Sequence, residues 1–455
     1  MPVYIAKQAL VDGISSLPYY EYLFTVLKVA PWLVLLYLLK LYSGGATNTS
    51  ERLMHSKVVM ITASLSVFVL SCIVNSHSQG GTSGIGAEIA RGLATRGAQI
   101  ILLTQHSITD PFLVDYIDDL RTSTNNELIN AERVDLSSLH SIRVFATKWV
   151  DNAPPRRLDM LILCGNTLTP RGGKISVTQD SIESNWGINY LANFHLLSIL
   201  SPALRAQPPD RDVRIIFGTC SSYMGGELSD LKSSSSKENF IYTANNGKKS
   251  KKAKSNTQTT TFSTSAAYAT SQLALMTFAS AFQKHLSAYS RPDKQPMNAR
   301  VILADPGFTR TPGMRRYLTW GSISGLFLYL LMYPFWWLVL KSPEQGAQSF
   351  LMAAMDQELG RGVGGKRIKE CREVRIMRKE VEDEGVQKGL WELSERTIEK
   401  AEKEGAVRRA MEKKEREESE KAEKGGVTKT TGTGSTAGGN GGVKKSDSRR
   451  TRKAA

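Results

Sequence analysis

Gly80-Gly81-Thr82-Ser83-Gly84-Ile85-Gly86 opens a helical pattern, Ala87 to Ala94, which is followed by the apolar run QIILLT. Glycines in such a loop let the backbone turn tightly and approach a pyrophosphate, while free N–H groups at the helix start hold its charge. A strand is expected before the loop, and Val58-Val59-Met60-Ile61-Thr62 has the composition of one, although Ala63 to Gln79 (ASLSVFVLSCIVNSHSQ) separates the two. Outward from this point, short apolar runs alternate with helical patterns from Lys57 to about Met355: QIILLT, LDMLILC, VRIIFGT and ARVILAD, each bounded by polar turns. That alternation predicts βαβ units, hence an α/β domain over 57–355 built on a doubly wound parallel sheet.

The appendages have different compositions. Residues 1–21 form an N-terminal segment, and from Tyr22 to Tyr42 runs an apolar stretch of about the length that crosses a bilayer core. Lys40 at the end of this anchor and Arg52 and Lys57 beyond it face only Lys7 before it, so the positive-inside rule assigns the main domain to the cytosol. A second apolar run, Leu318 to Leu340, is interrupted by Pro334, and the helical pattern after it, Glu344 to Met355, belongs with the sheet. A bent, membrane-associated segment over 318–340 satisfies both facts, with a buried core helix as the alternative. The Ser/Lys/Asn/Thr-rich stretch 229–264 has too little apolar surface to order and reads as a disordered loop. Residues 377–455 read as an exposed charged helix followed by a disordered basic tail.

Hydrophobic residues make up 41% of the 455, which excludes a mainly disordered protein. Part of the basic excess behind the net charge of +16 sits in a Lys/Arg/Glu-rich C-terminal tail and not in an aromatic-interleaved patch, which argues for a solvated tail near an anionic membrane and against nucleic-acid binding. Cys72, Cys164, Cys220 and Cys371 are scattered without metal-type spacing, so a reducing compartment and no metal are expected.

Joining Thr62 to Gly80 restores Thr-Gly-x-x-x-Gly-Ile-Gly, and Ala267-Tyr268-Ala269-Thr270-Ser271-Gln272 stands further along the chain. In these motifs the sequence resembles the short-chain dehydrogenase/reductase family, in its membrane-bound, retinol-dehydrogenase-like branch, over roughly Lys57 to Met355. The resemblance implies a Rossmann-type sheet and a nicotinamide cofactor held by Thr62, Gly80, Ser83, Gly84, Ile85, Gly86, Asp135, Gln272, Pro306, Gly307 and Thr309. It further implies Tyr268 as acid/base, Ser222 as the hydroxyl that holds the substrate oxygen, and Asn189 as the asparagine of the proton relay. The family's lysine, which binds ribose and lowers the tyrosine pKa, is replaced by Gln272, which hydrogen-bonds but carries no charge. Activity is therefore expected to be weak, and better for alcohol oxidation or at high pH. The family's Asn-Asn-Ala-Gly after the fourth strand is replaced by Leu163-Cys164-Gly165-Asn166, and Thr104-Gln105-His106 supplies no acid after the second strand, which favours NADP over NAD.

The long excursion between Thr62 and Gly80 is expected to loosen the phosphate loop. Ala63-Ser64 and Gln79 are compatible with the codons of intron ends, so a retained intron is the favoured reading of 63–79, against a second membrane segment or a lineage-specific loop. Two functions compete. One is an oxidoreductase acting on a lipophilic small molecule drawn from membrane lipid at the endoplasmic reticulum or a lipid droplet, with a homodimer as the assembly considered. The other is a non-catalytic membrane scaffold or nucleotide sensor on the same fold.

Overall fold

The computed structural model describes residues 20–62, 84–153, 156–172, 175–228 and 263–427; the proposed insert 63–79, Gly80, Ser83, nearly all of the predicted loop 229–264 and the last part of the tail lie outside the described residues. Among the described residues, eight strands form one sheet in the order β3-β2-β1-β4-β5-β6-β7-β8. They are β1 Val58–Thr62, β2 Gln99–Thr104, β3 Ile129–Arg133, β4 Met160–Leu163, β5 Val213–Gly218, β6 Ala299–Asp305, β7 Lys366–Lys369 and β8 Arg372–Glu373. All neighbours are parallel except β7 and β8. The middle strands are apolar without alternation because helices cover both faces, as β1 and β4, buried at every position, illustrate.

The helices are α1 Tyr20–Gly44, α2 Gly84–Ala94, α3 Pro111–Thr124, α4 Leu139–Val150, α5 Ala192–Arg205, α6 Thr264–Ala288, α7 Pro312–Leu318, α8 Ile323–Leu331, α9 Tyr333–Val339, α10 Pro343–Met355, α11 Gln357–Arg361 and α12 Glu384–Val427. Residues of α2 and α10 bury one face of the sheet and those of α4, α5 and α6 the other. Helix starts follow their capping chemistry. The Ser263 hydroxyl accepts from Ala266 N to open α6, one residue before the predicted end of the loop, and Ser342 and Gln345 form a reciprocal capping box ahead of Pro343 in α10.

The domain does not end at Met355. Strand β7 adds to β6 by pairing Ile302 with Lys366 through Asp305 with Lys369. The expectation of an exposed helix after 377 is also corrected: Val386, Leu390, Leu393, Ile398 and Ala401 of α12 are buried in the same core as α5 and α6. Tyr190 Oη lies 2.5 Å from Ser394 Oγ, and the Trp391 ring packs 5.2 Å from Phe194. From Lys403 onward the chain forms a second unit.

Helix α1 is the one described helix long and apolar enough to cross a membrane, over Thr25–Gly44, and nearly all of that stretch is unburied. The second apolar run is not a single rod. Trp320 and Gly321 both adopt positive φ and break it after α7, and α8 and α9 meet at Met332 with Pro334 in the first turn of α9. Phe327 and Leu331 are 72% and 68% exposed, which excludes the buried core helix considered for this run. The end of α1 docks on α9: Lys40 Nζ donates to Trp337 O at 2.5 Å and lies 4.8 Å over the Trp337 ring, and Ser43 Oγ donates to Leu338 O at 2.6 Å.

Candidate active site

In the strand order, the chain leaves β1 for β2 and β3 on one side and returns to β4 on the other. This reversal opens a crevice beyond the carboxyl ends of the strands, where open α/β sheets bind ligands. A cavity of about 1010 Å³ occupies that position. Of the residues expected to hold a cofactor, Gly84, Ile85, Gly86, Pro306, Gly307 and Thr309 line it. Gly84 and Gly307 have φ of +65° and +72°, a region that glycine adopts without the Cβ penalty. Thr62 and Asp135 are not on this wall. Thr62 Oγ1 instead accepts from Gly165 N at 3.1 Å, tying β1 to the turn after β4. Asp135 accepts from Ser137, from Gln105 Nε2 at 3.2 Å and from Gln179 Nε2 at 3.0 Å, so it pins the ends of β2 and β3 together.

Tyr268 sits in the first turns of α6 and lines the cavity. Its Oη accepts a hydrogen bond from Asn166 Nδ2 at 2.9 Å, and the Cys220 thiol lies 3.4 Å away. Ser222 is exposed on the same wall and hydrogen-bonds Cys220 rather than standing against the phenol. Asn189 falls within a π-helical turn, Asn185–Leu191, that leads into α5. Its Oδ1 accepts from Thr167 N at 2.7 Å, and its Nδ2 donates to Thr167 O at 3.0 Å and Ser271 Oγ at 3.2 Å. Asn189 thus holds the loop after β4 against α6, a positioning role.

Gln272, one turn after Tyr268, has no exposed surface and stands off the cavity wall; its Nε2 donates to Asn166 Oδ1 at 3.4 Å. The side chain expected to reach a ribose thus stands off the cavity wall, paired with Asn166. Asn166 itself carries no local motif and marks only a departure from Asn-Asn-Ala-Gly. The one signal available was a side chain with donors and acceptors where the family has glycine.

The electrostatics follow from burial. Desolvation holds the Tyr268 phenol well above its usual value of 10, and the neighbouring Cys220 and Asp305 push the same way against the hydrogen bond from Asn166. Burial also raises the thiols of Cys220 and Cys164, the latter to about 12, so both are neutral thiols. Asp305, at the end of β6, is paired with Arg367 Nη2 at 2.6 Å and accepts from Ser221 Oγ at 2.8 Å. The Arg367 guanidinium also lies 4.9 Å over the Tyr223 ring. This buried pair locks β7 and the turn before Tyr223 to the cavity floor.

A model of the short chain dehydrogenase family matches residues 79–226. The chain is 40% identical over 367 residues to the uncharacterized oxidoreductase pbr1 of Schizosaccharomyces pombe, covering 80% of this chain and 87% of the relative. It is 35% identical over 427 residues to the uncharacterized oxidoreductase YNL181W of Saccharomyces cerevisiae, covering 90% and 95%. Similarity extends to retinol dehydrogenase 13 of Mus musculus, 29% identical over 363 residues and covering 79% and 89%. The chain belongs to the short-chain dehydrogenase family, in its retinol-dehydrogenase-like branch.

The family binds a nicotinamide cofactor, and the residues present fit one. The start of α2 presents Gly84 to Gly86 to the cavity, where free backbone N–H groups suit a pyrophosphate, and Gln272 Oε1, on the side chain that reaches Asn166, is a buried acceptor with no hydrogen-bond partner in this structure.

Proposed function

We propose that the chain is a membrane-anchored oxidoreductase that uses NADP, with NAD as the alternative, to interconvert the carbonyl and alcohol of a lipophilic substrate. One observation carries the reading. The cavity lined by Gly84 to Gly86 and Tyr268 is lined also by Trp336 and Val339 of α9 and by Leu340 just after it, next to the apolar α8–α9 segment docked on α1. An apolar molecule dissolved in a bilayer thus meets apolar side chains of the membrane-associated segment on the same cavity that the phenol lines. The membrane is that of the endoplasmic reticulum or a lipid droplet, with the sheet on the cytosolic side. NADP is favoured by the absence of a carboxylate after β2, where Gln105 and His106 stand.

When bound, the cofactor supplies or accepts the hydride. Ser222, exposed to the cavity, holds the substrate oxygen, and Tyr268 Oη gives that oxygen its proton in carbonyl reduction. Burial keeps the phenol protonated at neutral pH, so reduction is the direction it serves there. Alcohol oxidation requires the tyrosinate and rises with pH. The sequence-based expectation of better oxidation therefore holds only for alkaline conditions.

The test uses the full chain in phospholipid vesicles. NADPH-dependent reduction of a long-chain aldehyde is expected to exceed that of a short-chain one, to vanish in Tyr268→Phe, and to show a raised KM in the Phe327→Asp/Leu331→Asp variant, whose substitutions lie outside the cavity wall. Equal rates for the long and short aldehydes would remove the membrane route.

A second reading, a scaffold or nucleotide sensor, is favoured by the raised phenol pKa and by Gln272 in place of a lysine. It is supported if cofactor binds but neither wild type nor Gln272→Lys turns over and Tyr268→Phe leaves the biological role intact.

A further inference from the structure

We propose that Asn166 is a catalytic residue of this chain, stabilising the anion that Tyr268 becomes, and that Gln272 positions it; the inference rests on the reading of Tyr268 as the acid. A phenol oxygen offers one donor and two acceptor sites. Here Asn166 Nδ2 fills one acceptor site at 2.9 Å and the Cys220 thiol, at 3.4 Å, is in reach of the other. The phenol's own hydrogen is then the group left for a substrate in the cavity. Gln272 Nε2, at 3.4 Å from Asn166 Oδ1, orients the Asn166 amide so that its N–H edge, not its carbonyl, faces the phenol. That orientation decides the sign of the effect, because a donor favours the tyrosinate and a carbonyl would oppose it.

Among the described residues, no cation is placed against the phenol in compensation. Asp305, the charged group nearest in effect, is negative and already paired with Arg367, while Arg316, Lys369 and Glu370 lie elsewhere on the cavity wall. In carbonyl reduction, for which a bound reduced nicotinamide would supply hydride to the carbonyl carbon, the proton leaves Tyr268 Oη for the carbonyl oxygen, and solvent later restores the phenol proton. Charge builds on Oη as the proton leaves. A preorganised amide N–H there is worth more in that transition state than in the ground state. The two substitutions relative to the family, a side chain at 166 and an amide at 272, thus act as one unit: neutral donors do in part what a lysine charge does elsewhere.

The test needs a reading of the contact that does not depend on turnover. Carbon-13 ζ labelling of tyrosine in the full chain, with Tyr268 assigned by its loss in Tyr268→Phe, reports the hydrogen bonding of Oη at neutral pH. In Asn166→Ala the resonance is expected to move, and kcat for aldehyde reduction to fall about tenfold or more with KM within about twofold, as for one lost hydrogen bond to a charged oxygen. Gln272→Ala is expected to do the same to a smaller degree. Asn166→Asp keeps the shape and replaces the N–H donor by a carboxylate oxygen, so it covers failure of the alanine variant to fold and is expected to lower kcat further. An unmoved resonance overturns the inference whatever the turnover. A moved resonance with unchanged kcat overturns it too. A moved resonance with no turnover in any form, wild type included, refutes the catalytic role together with the oxidoreductase reading while leaving the contact itself established.

Discussion

Gln272→Lys restores the family's charge next to the acid, and its effect follows from the geometry. Gln272 and Tyr268 are one helical turn apart and share Asn166 as a hydrogen-bonding neighbour. An ammonium within roughly 5 Å of the phenol oxygen attracts a tyrosinate by about 3 kcal/mol at an effective dielectric constant of about 20. Gln272 has no exposed surface, so part of that gain is lost to desolvation of the ammonium. A net lowering of the Tyr268 pKa by about one to two units remains, corresponding to ten to a hundred times more tyrosinate at any pH below the pKa. The assay is the pH profile of kcat for oxidation of a long-chain alcohol, with melting temperatures recorded to confirm a folded variant. The profile should shift to lower pH by that interval, because a raised pKa starves oxidation of its base until the solution is alkaline. A folded Gln272→Lys enzyme with an unmoved profile would refute the assignment of Tyr268 as the base tuned by this position.

Arg367→Leu leaves the Asp305 carboxylate buried without its partner, with an expected cost of about 3 to 5 kcal/mol in chemical denaturation and partial recovery when Asp305→Asn is added. His195 is held down to about 4 by burial and by Arg143, although Glu402 Oε1 stands 3.3 Å from its Nε2; since neither of these two atoms makes a hydrogen bond, burial is taken to dominate. Its folded pKa lies below the unfolded value of 6.5, so stability should fall as the pH drops through the window from about 6.5 to 4, by up to about 3 kcal/mol, and His195→Gln should lack that component; identical acid curves would mean that Glu402 holds the charged form after all. Sequencing of mature transcripts from Thr62 to Gly80 is expected to yield a form without Ala63 to Gln79; transcripts that uniformly contain the segment would end the retained-intron reading.

The middle of the sheet was legible because β2, β4, β5 and β6 are buried on both faces and therefore carry apolar stretches such as Ile100–Leu103, Ile215–Phe217 and Val301–Ala304. Strand β7, Lys-Arg-Ile-Lys, was not: only Ile368 has core composition, and Arg367 is buried because Asp305, distant in sequence, neutralises it. The packed half of α12 did leave a signal, apolar residues at 386, 390, 393, 398 and 401 with near-heptad spacing, but it was masked by the charge of the surrounding helix. At the site, Tyr268 and the Pro306-Gly307 turn were readable from their order along the chain. The partners of the phenol were not. Cys220 and Asn166 reach it from the ends of different strands, and only the assembled sheet brings them within hydrogen-bonding range.

The most direct test of the central claim is the fate of an isotopic label. The full chain in vesicles is supplied with NADPH bearing deuterium at the transferable position of the nicotinamide and with a long-chain aldehyde, and the product is analysed by mass spectrometry. Deuterium on the carbinol carbon of the alcohol, absent with Tyr268→Phe, is the predicted result; cofactor bound at the site with no deuterium delivered to any carbonyl substrate, in wild type and Gln272→Lys alike, would contradict the account and leave a nucleotide-binding scaffold.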